Sequence, residues 1–254
     1  MRKHILSAIQ AHAAAEYPKE CCGLVLAIGR KQQYFPCRNI STEPSEEFRL
    51  DPEDYAAAED LGEVIGIVHS HPDATSRPSP RDLAMCEATA LPWHILSWPE
   101  GDLRAITPTG STPLLKRPFV HGAWDCWQLC ADWYRREWGL DFPPYTREDG
   151  WWEQTAGPSL YEQTYEAAGF YRVDQPQRGD MIVMSVGRTA HPNHAGIYLG
   201  ADPALSGEDS GIFGLGPFLL HHLYGRPSEI IVFGGPWNDR ARLILRHKDA
   251  KQPI

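Results

Sequence analysis

Between residues 69 and 82 the chain sets His69, His71, Ser79 and Asp82 in the pattern H-x-H-P-x6-S-x2-D. Side chains on an extended strand repeat every two residues, so histidines at alternate positions of a strand end face the same way. An aspartate in the first turn of the helix that follows can bring its carboxylate back to them. Two imidazoles and one carboxylate leave one tetrahedral position for water, which is the donor set of a catalytic zinc ion rather than of a closed structural one. Such a water becomes a nucleophile near neutral pH. A second group begins at Asp125-Cys126, at the start of a helical stripe. There the unpaired backbone N–H groups and the helix dipole are expected to lower the thiol pKa. A nucleophilic cysteine needs a histidine from elsewhere in the fold to pair with it and later protonate the leaving amine. His194, which opens HAGIYLG after the turn Arg178-Gly179-Asp180, is the candidate.

The elements that must hold these residues are legible as periodicities. Residues 3–16 have helical spacing, with Ile5, Ile9 and Ala13 on one face, and Cys22 to Ile28 is a short apolar run ended by Gly29-Arg30, as a buried strand would be. Gln33 to Cys37 can pair with it. Asp51-Pro52-Glu53 marks a helix start, and Glu63 to His69 reads as a second buried strand ending on polar residues. A Pro- and Ser-rich loop then leads to Ser79-Pro80, the cap and first residue of an alanine-rich helix. Trp93–Trp98 and Leu103–Ile106 are closing strands. Residues 107–118 are dense in Thr, Pro, Gly and Ser without an apolar period and are expected to link two domains, 1–106 and 119–254. Beyond them, Trp127, Cys130, Trp133, Tyr134 and Trp138 form a helical stripe, and MIVMSV, HAGIYL, FLLHH and EIIVF read as strands, the last being the final clear one. Helix first and strands afterwards predict an α+β second domain, and the fold class of the whole chain is mixed α+β.

A chain of 254 residues with 42% hydrophobic content can bury one large core or two compact ones. Its formal net charge of −9 argues against proteins that bind by neutralising nucleic-acid phosphates or an anionic membrane surface, so no nucleic-acid partner is expected. The N-terminal apolar residues are interrupted by His4, Gln10, His12 and Glu16, which suits an amphipathic helix and not a signal peptide, and no apolar run reaches the roughly 18 residues of a membrane span. A soluble protein made in a cytoplasm is expected. The six cysteines fit neither a compact disulfide framework nor a zinc ribbon. Nine Trp and ten Tyr, many of them between Trp124 and Tyr171, can build core or line a groove for an extended or sugar-bearing substrate.

The pattern on residues 69–82 resembles the JAMM/MPN+ metalloproteases over residues 1–106. That resemblance implies a mixed sheet flanked by helices and a bound Zn2+. It makes Glu20 of PKECCGLVL the general acid/base, and gives Ser79 a role in holding the substrate carbonyl or orienting the water. It also implies cleavage of an amide, often an isopeptide. The second half is similar to the NlpC-type branch of papain-like cysteine peptidases, in which the helix bearing the nucleophile packs on an antiparallel sheet. By that similarity Cys126 is the nucleophile, His194 its base, and His221 or His222 the third residue, with His221 preferred because F-L-L-H aligns with the branch's apolar-apolar-His. The implied substrate is a peptidoglycan stem peptide. Trp127-Gln128 departs from the usual Ser-Gly after the cysteine, which bears on substrate fit, and His121, Gly122 and Trp124 are candidates for shaping the oxyanion region.

One domain fused to the other in this order resembles the tail assembly protein K family of long-tailed bacteriophages, over nearly the whole chain, including HHLYGRPSEIIVFGGPW and NDRARLILRH. The resemblance implies a protein made in the host cytoplasm and acting at the virion tail tip with other tail-tip proteins. Its work there is assembly, or opening a passage through the cell wall during infection, where it can act in the periplasm. Two hypotheses follow. The chain is a bifunctional hydrolase, or it is a structural tail-tip assembly or plug component in which one or both sites are vestigial.

Overall fold

The computed structural model describes residues 1–143, 145, 147, 150–153, 159–189 and 191–251. The chain divides into two compact units, Met1–Ser111 and Thr112–Ile254. Among the described residues no helix is long and apolar enough to cross a membrane.

In the first unit, α1 (Lys3–Glu16) buries Ile5, Ile9 and Ala13, the face expected from their spacing. A hairpin of β1 (Cys22–Ile28) and β2 (Lys31–Cys37) follows, then α2 (Pro52–Leu61), β3 (Glu63–Pro72), α3 (Pro80–Thr89), β4 (Trp93–Trp98) and β5 (Leu103–Ile106). The sheet order is β2-β1-β3-β4-β5, mixed because β3 and β4 run parallel while the other neighbours are antiparallel. Parallel neighbours need a crossover, and α3 supplies it. The inner strand β1 is apolar almost throughout, and its two faces feed separate cores: Val25 packs with α1, and Leu24 and Leu26 pack with Ala58 of α2 and Cys86 of α3. β3 extends past the expected end at His69 to Pro72, so both histidines sit on regular strand. Backbone pairing with β4 continues to the register His71↔Ser97 and Pro72↔Trp98, which holds this polar end in the sheet.

In the second unit, α4 (Cys126–Trp138) is followed by a short 3-10 turn at Trp151–Glu153, α5 (Leu160–Thr164), β6 (Phe170–Arg172), β7 (Met181–Met184), β8 (His194–Gly200), β9 (Phe218–His221), β10 (Glu229–Val232), α6 (Pro236–Arg240) and β11 (Ala241–His247). The sheet runs β10-β9-β8-β7-β11-β6 and is antiparallel throughout. Leu129, Cys130, Trp133 and Tyr134 of α4 pack on Val183, Ala195, Ile197 and Leu220 of the sheet. This is the α+β arrangement expected.

One sequence expectation needs correction. EIIVF is not the last strand: β11 lies between β7 and β6, and it was hidden because Arg242 and Arg246 dilute its apolar content while Leu243, Leu245 and His247 alternate inward. The segment 107–118, expected to link two domains, contains the division at Ser111/Thr112 and is anchored to the second unit. Leu114 is fully buried in the second core, Lys116 N–H donates to the Ser228 carbonyl (2.8 Å), and the buried Arg117 guanidinium pairs with Asp132 of α4 (2.7 Å). Its Pro and Thr content concealed these three anchors, which only the folded second unit makes visible.

Candidate functional site

In the first unit β3 and α3 converge. Ser79 caps α3: its hydroxyl accepts from Asp82 N–H (3.1 Å) and the Asp82 carboxylate accepts from Ser79 N–H (2.7 Å), a reciprocal capping box. The box fixes the Asp82 side chain at the helix start and turns its oxygens to the strand end. There Asp82 lies 3.2 Å from His69 Nε2 and 3.5 Å from His71 Nε2, and the two Nε2 atoms are 3.0 Å apart. Ligands about 2.0–2.1 Å from a tetrahedral zinc ion stand roughly 3.3 Å from each other. The observed separations fit that spacing. His71 Nδ1 donates to the Thr75 carbonyl (2.9 Å), which leaves the Nε2 lone pair facing the cluster. His69 is held by stacking on Phe48 and by the edge of Trp93, and its Nδ1 is buried without a partner. Three acceptor atoms converging in a buried corner are an arrangement that a cation satisfies, and among the described residues these three are the group able to hold a metal ion.

The electrostatics follow from burial and proximity. Burial alone would raise the Asp82 carboxyl, but hydrogen bonds from His69 and His71 outweigh it and hold the carboxylate well below the usual range. Burial pushes His69 down. For His71 burial is outweighed by Asp82 and the Thr75 carbonyl, and its pKa rises. Glu20, just before β1 and only 6% exposed, is pushed up to about 8 by burial, with His71 opposing and Asp82 adding to the rise. A carboxyl that ionises near the working pH, beside a candidate metal corner, can both take and give a proton.

In the second unit Asp125 caps α4 and Cys126 is its first residue. Asp125 accepts from Gln128 N–H (2.9 Å), Gly122 N–H (3.0 Å) and Arg147 Nε (2.8 Å), so the Gly122 amide, expected near the oxyanion region, is committed to the cap. Cys126 and His194 line one cavity of about 250 Å³. The Cys126 sulfur is 3.4 Å from the Tyr161 hydroxyl. His194 Nε2 meets His221 Nδ1 at 3.0 Å, and His221 lies opposite Gly196 in the β8–β9 register. His221 therefore stands behind His194, while His222 lines the cavity itself, edge-on to Phe119. Trp127 packs on Phe142, Tyr145 and Tyr161.

The expected lowering of the Cys126 thiol does not hold. Burial, with Asp125 beside it, pushes the thiol up against weaker help from Tyr161, the Ala195 backbone and Arg147. Burial also pushes His194 well down, with His221 and His222 adding to it, and pushes His221 to about 4. Both shifts favour the uncharged forms, a thiol and a neutral imidazole. Sequence reading missed Tyr161 and Arg147. Neither has a spacing signal: Tyr161 meets the Cys126 sulfur and Arg147 the Asp125 carboxylate only in the tertiary structure.

Comparison with known proteins agrees with this division. Residues 2–108 match the family described as prokaryotic homologs of the JAB domain, and residues 116–222 match the NlpC/P60 family. The chain is 49% identical over 252 residues to tail tip assembly protein K of Escherichia phage N15, covering 99% of this chain and 97% of that protein. It is 32% identical to tail tip assembly protein K of Escherichia phage lambda, covering 78% and 89% respectively. A desampylase of Haloferax volcanii is 31% identical over 117 residues, 43% of this chain and 84% of that one.

Proposed function

The chain belongs to the tail tip assembly protein K family, and from that premise we propose that it carries two hydrolase sites used at the phage tail tip: a zinc-dependent peptidase or isopeptidase and a cysteine endopeptidase that cuts peptidoglycan stem peptides. The observation that carries this is that the first unit brings His69, His71 and Asp82 within metal-ligand distance of one another, and the second sets Cys126 and His194 on one cavity with His221 against His194. Decayed enzymes lose a ligand or the nucleophile first.

In the first unit His69, His71 and Asp82 would hold the zinc ion, which when bound supplies Lewis-acid chemistry for splitting an amide with water. Glu20 takes the proton from the attacking water and returns it to the leaving amine, work suited to a carboxyl pushed to about 8. Ser79 keeps the Asp82 carboxylate aimed, and its own O–H remains to donate to substrate. The likeness to a desampylase supports an isopeptide among the substrates. In the second unit His194 accepts the Cys126 thiol proton as sulfur attacks the scissile carbonyl carbon. The imidazolium then protonates the leaving amine, and water hydrolyses the thioester. His221 Nδ1 accepts from His194 Nε2–H, which leaves His194 Nδ1 as the base.

Zinc content of the purified protein beside Asp82→Ala tests the first site: the wild type is expected to hold one ion and the variant none, and a metal-free wild type purified with zinc present would sink it. Digestion of purified peptidoglycan by wild type and by Cys126→Ala tests the second, with stem fragments released by the wild type alone. Phage complementation with His69→Ala and Cys126→Ala, scored separately for particle assembly and DNA delivery, tests the setting. Normal yield and infectivity with both variants would favour the structural reading, in which the sites are vestigial.

A further inference from the structure

The loop between β2 and α2 is closed on itself and on the metal corner of the first unit. Its ends meet at a bridge between Asn39 and Leu50, where Ile40 N–H donates to the Arg49 carbonyl (2.9 Å) and Asp51 N–H to that of Arg38 (3.2 Å), the form of an Ω-loop. The Asn39 amide fills its inside. Nδ2 donates to the carbonyls of Glu20 and Glu47 (3.1 Å each), with that of Pro44 at 3.4 Å, while Oδ1 accepts from Ser41 N–H and Arg49 N–H (3.0 Å each). Glu20 precedes Cys22, the first residue of β1, so the sheet ladder does not hold it. Its N–H donates instead to the Pro44 carbonyl (2.7 Å) and its carbonyl accepts from Asn39, which ties both main-chain groups to this loop. The loop also carries Phe48, stacked on His69 with ring centroids 4.6 Å apart and planes 23° from parallel, and tilted on Trp93 at 5.4 Å. His71 is oriented by its bond to the Thr75 carbonyl, whereas His69 Nδ1 is buried with no partner among the described residues. On that side of the His69 ring, packing takes the place of the hydrogen bond that ordinarily orients a histidine ligand.

We propose that this loop aligns the acid/base with the metal ligand, and that Asn39 and Phe48 are its positioning residues: Asn39 holds the main chain of Glu20, and Phe48 holds the ring of His69. The inference rests on the zinc-peptidase reading of the first unit and adds two residues to it. A side-chain amide suits position 39 because its N–H donors face carbonyls while its oxygen faces N–H groups. Aspartate, of nearly the same shape, keeps the bonds from Ser41 and Arg49 but sets a carboxylate oxygen against the carbonyls of Glu20 and Glu47, leaving those acceptors without their donor. Asn39 also grips both neighbours of Phe48, the Glu47 carbonyl on one side and the Arg49 N–H on the other. Loosening the loop at Asn39 therefore releases the ring on His69 as well as the main chain of Glu20, so a single amide governs two groups from distant parts of the chain.

The test uses the full-length protein as wild type, Asn39→Asp, Phe48→Leu, and Ile5→Val, a control that thins the core on the other face of the sheet. Zinc affinity of chelator-treated protein is measured by dye competition, and the surroundings of the metal by the visible absorption of the Co2+-loaded protein. The Glu20 main chain is followed by amide exchange in the metal-free protein, relative to Ile67, whose N–H donates to the Pro92 carbonyl outside the loop. Asn39→Asp and Phe48→Leu are each expected to bind zinc at least about tenfold more weakly and to alter the cobalt spectrum. Asn39→Asp is further expected to speed Glu20 exchange about tenfold relative to Ile67. Ile5→Val is expected to lower Tm and leave all three readings at the wild-type level, which separates positioning from loss of stability. Unchanged zinc affinity in a variant overturns the assignment of its residue, as does unchanged Glu20 exchange in Asn39→Asp, and in both cases the zinc site stands. An equal loss in Ile5→Val overturns both assignments. Should Asn39→Asp not fold, Phe48→Leu decides through affinity and spectrum. A wild type that takes up neither zinc nor cobalt overturns the zinc reading and this inference together.

Discussion

Glu20 and Asp82 share one buried corner, yet their carboxyl groups are driven in opposite directions because only Asp82 receives hydrogen bonds from both histidines. For Glu20 the folded-state pKa of about 8 lies above the ordinary carboxyl value, so folding favours the protonated form. Its contribution to stability is full below the unfolded pKa near 4.5 and is lost as pH rises through about 8. Chelator-treated protein is therefore expected to lose up to about 1.4 kcal/mol per pH unit on approaching that value, and Glu20→Gln to flatten the slope. Urea titrations at several pH values check this, and equal slopes in both proteins would assign the titration to another group. Cys126, pushed up by burial and Asp125, is expected to show an alkylation rate still rising above the ordinary thiol range of about 8.5. A plateau already reached at neutral pH would mean a preformed ion pair. At this scale the sequence shows which residue types can do chemistry but not the sign of their pKa shifts, because the helix N-terminus is local while burial by the rest of the fold is not.

The capping box of α3 is both a helix start and a ligand holder. Ser79→Ala is expected to cost about 1 kcal/mol of stability and to weaken zinc binding by roughly 10–100-fold, since Asp82 loses the partner that aims it. A competition titration with a zinc dye measures the second effect, and unchanged affinity would separate the cap from the site. The turn before β7 depends on Gly179, whose φ of +90° suits glycine and whose missing Cβ leaves room for Trp138: a Cβ there would stand 2.1 Å from its ring. Gly179→Ala is expected to destabilise the second unit by about 2 kcal/mol or more, seen as a lower Tm. Helices and central strands were legible because caps and apolar runs are local signals. β11 was not, since its two arginines hide an alternation that has meaning only against the sheet it joins.

For the molecule as a whole the division falls at Ser111/Thr112, inside the segment that composition marks as a linker. Leu114 belongs to the second core, and removing the buried Arg117 would leave Asp132 with only Gln128 and Arg135 as partners. A fragment beginning at residue 119 is thus expected to be less stable than one beginning at Thr112 by about 2–5 kcal/mol, chiefly from the lost burial of Leu114, with a lower urea midpoint. Equal midpoints would mean that the segment is only a tether. The sequence by itself determined the two-part organisation and the family, and it singled out His69, His71 and Asp82 and the pair Cys126 and His194 as candidates, because residue type, short spacing and chain order carry them. Tertiary structure decided what those residues can be in contact with. It placed His221 rather than His222 against His194, raised the Glu20 carboxyl, and kept the Cys126 thiol protonated. It also set Arg147 on Asp125, in a cavity walled by aromatic rings. Each of these is a desolvation or a contact between distant segments, and neither exists until the chain is folded.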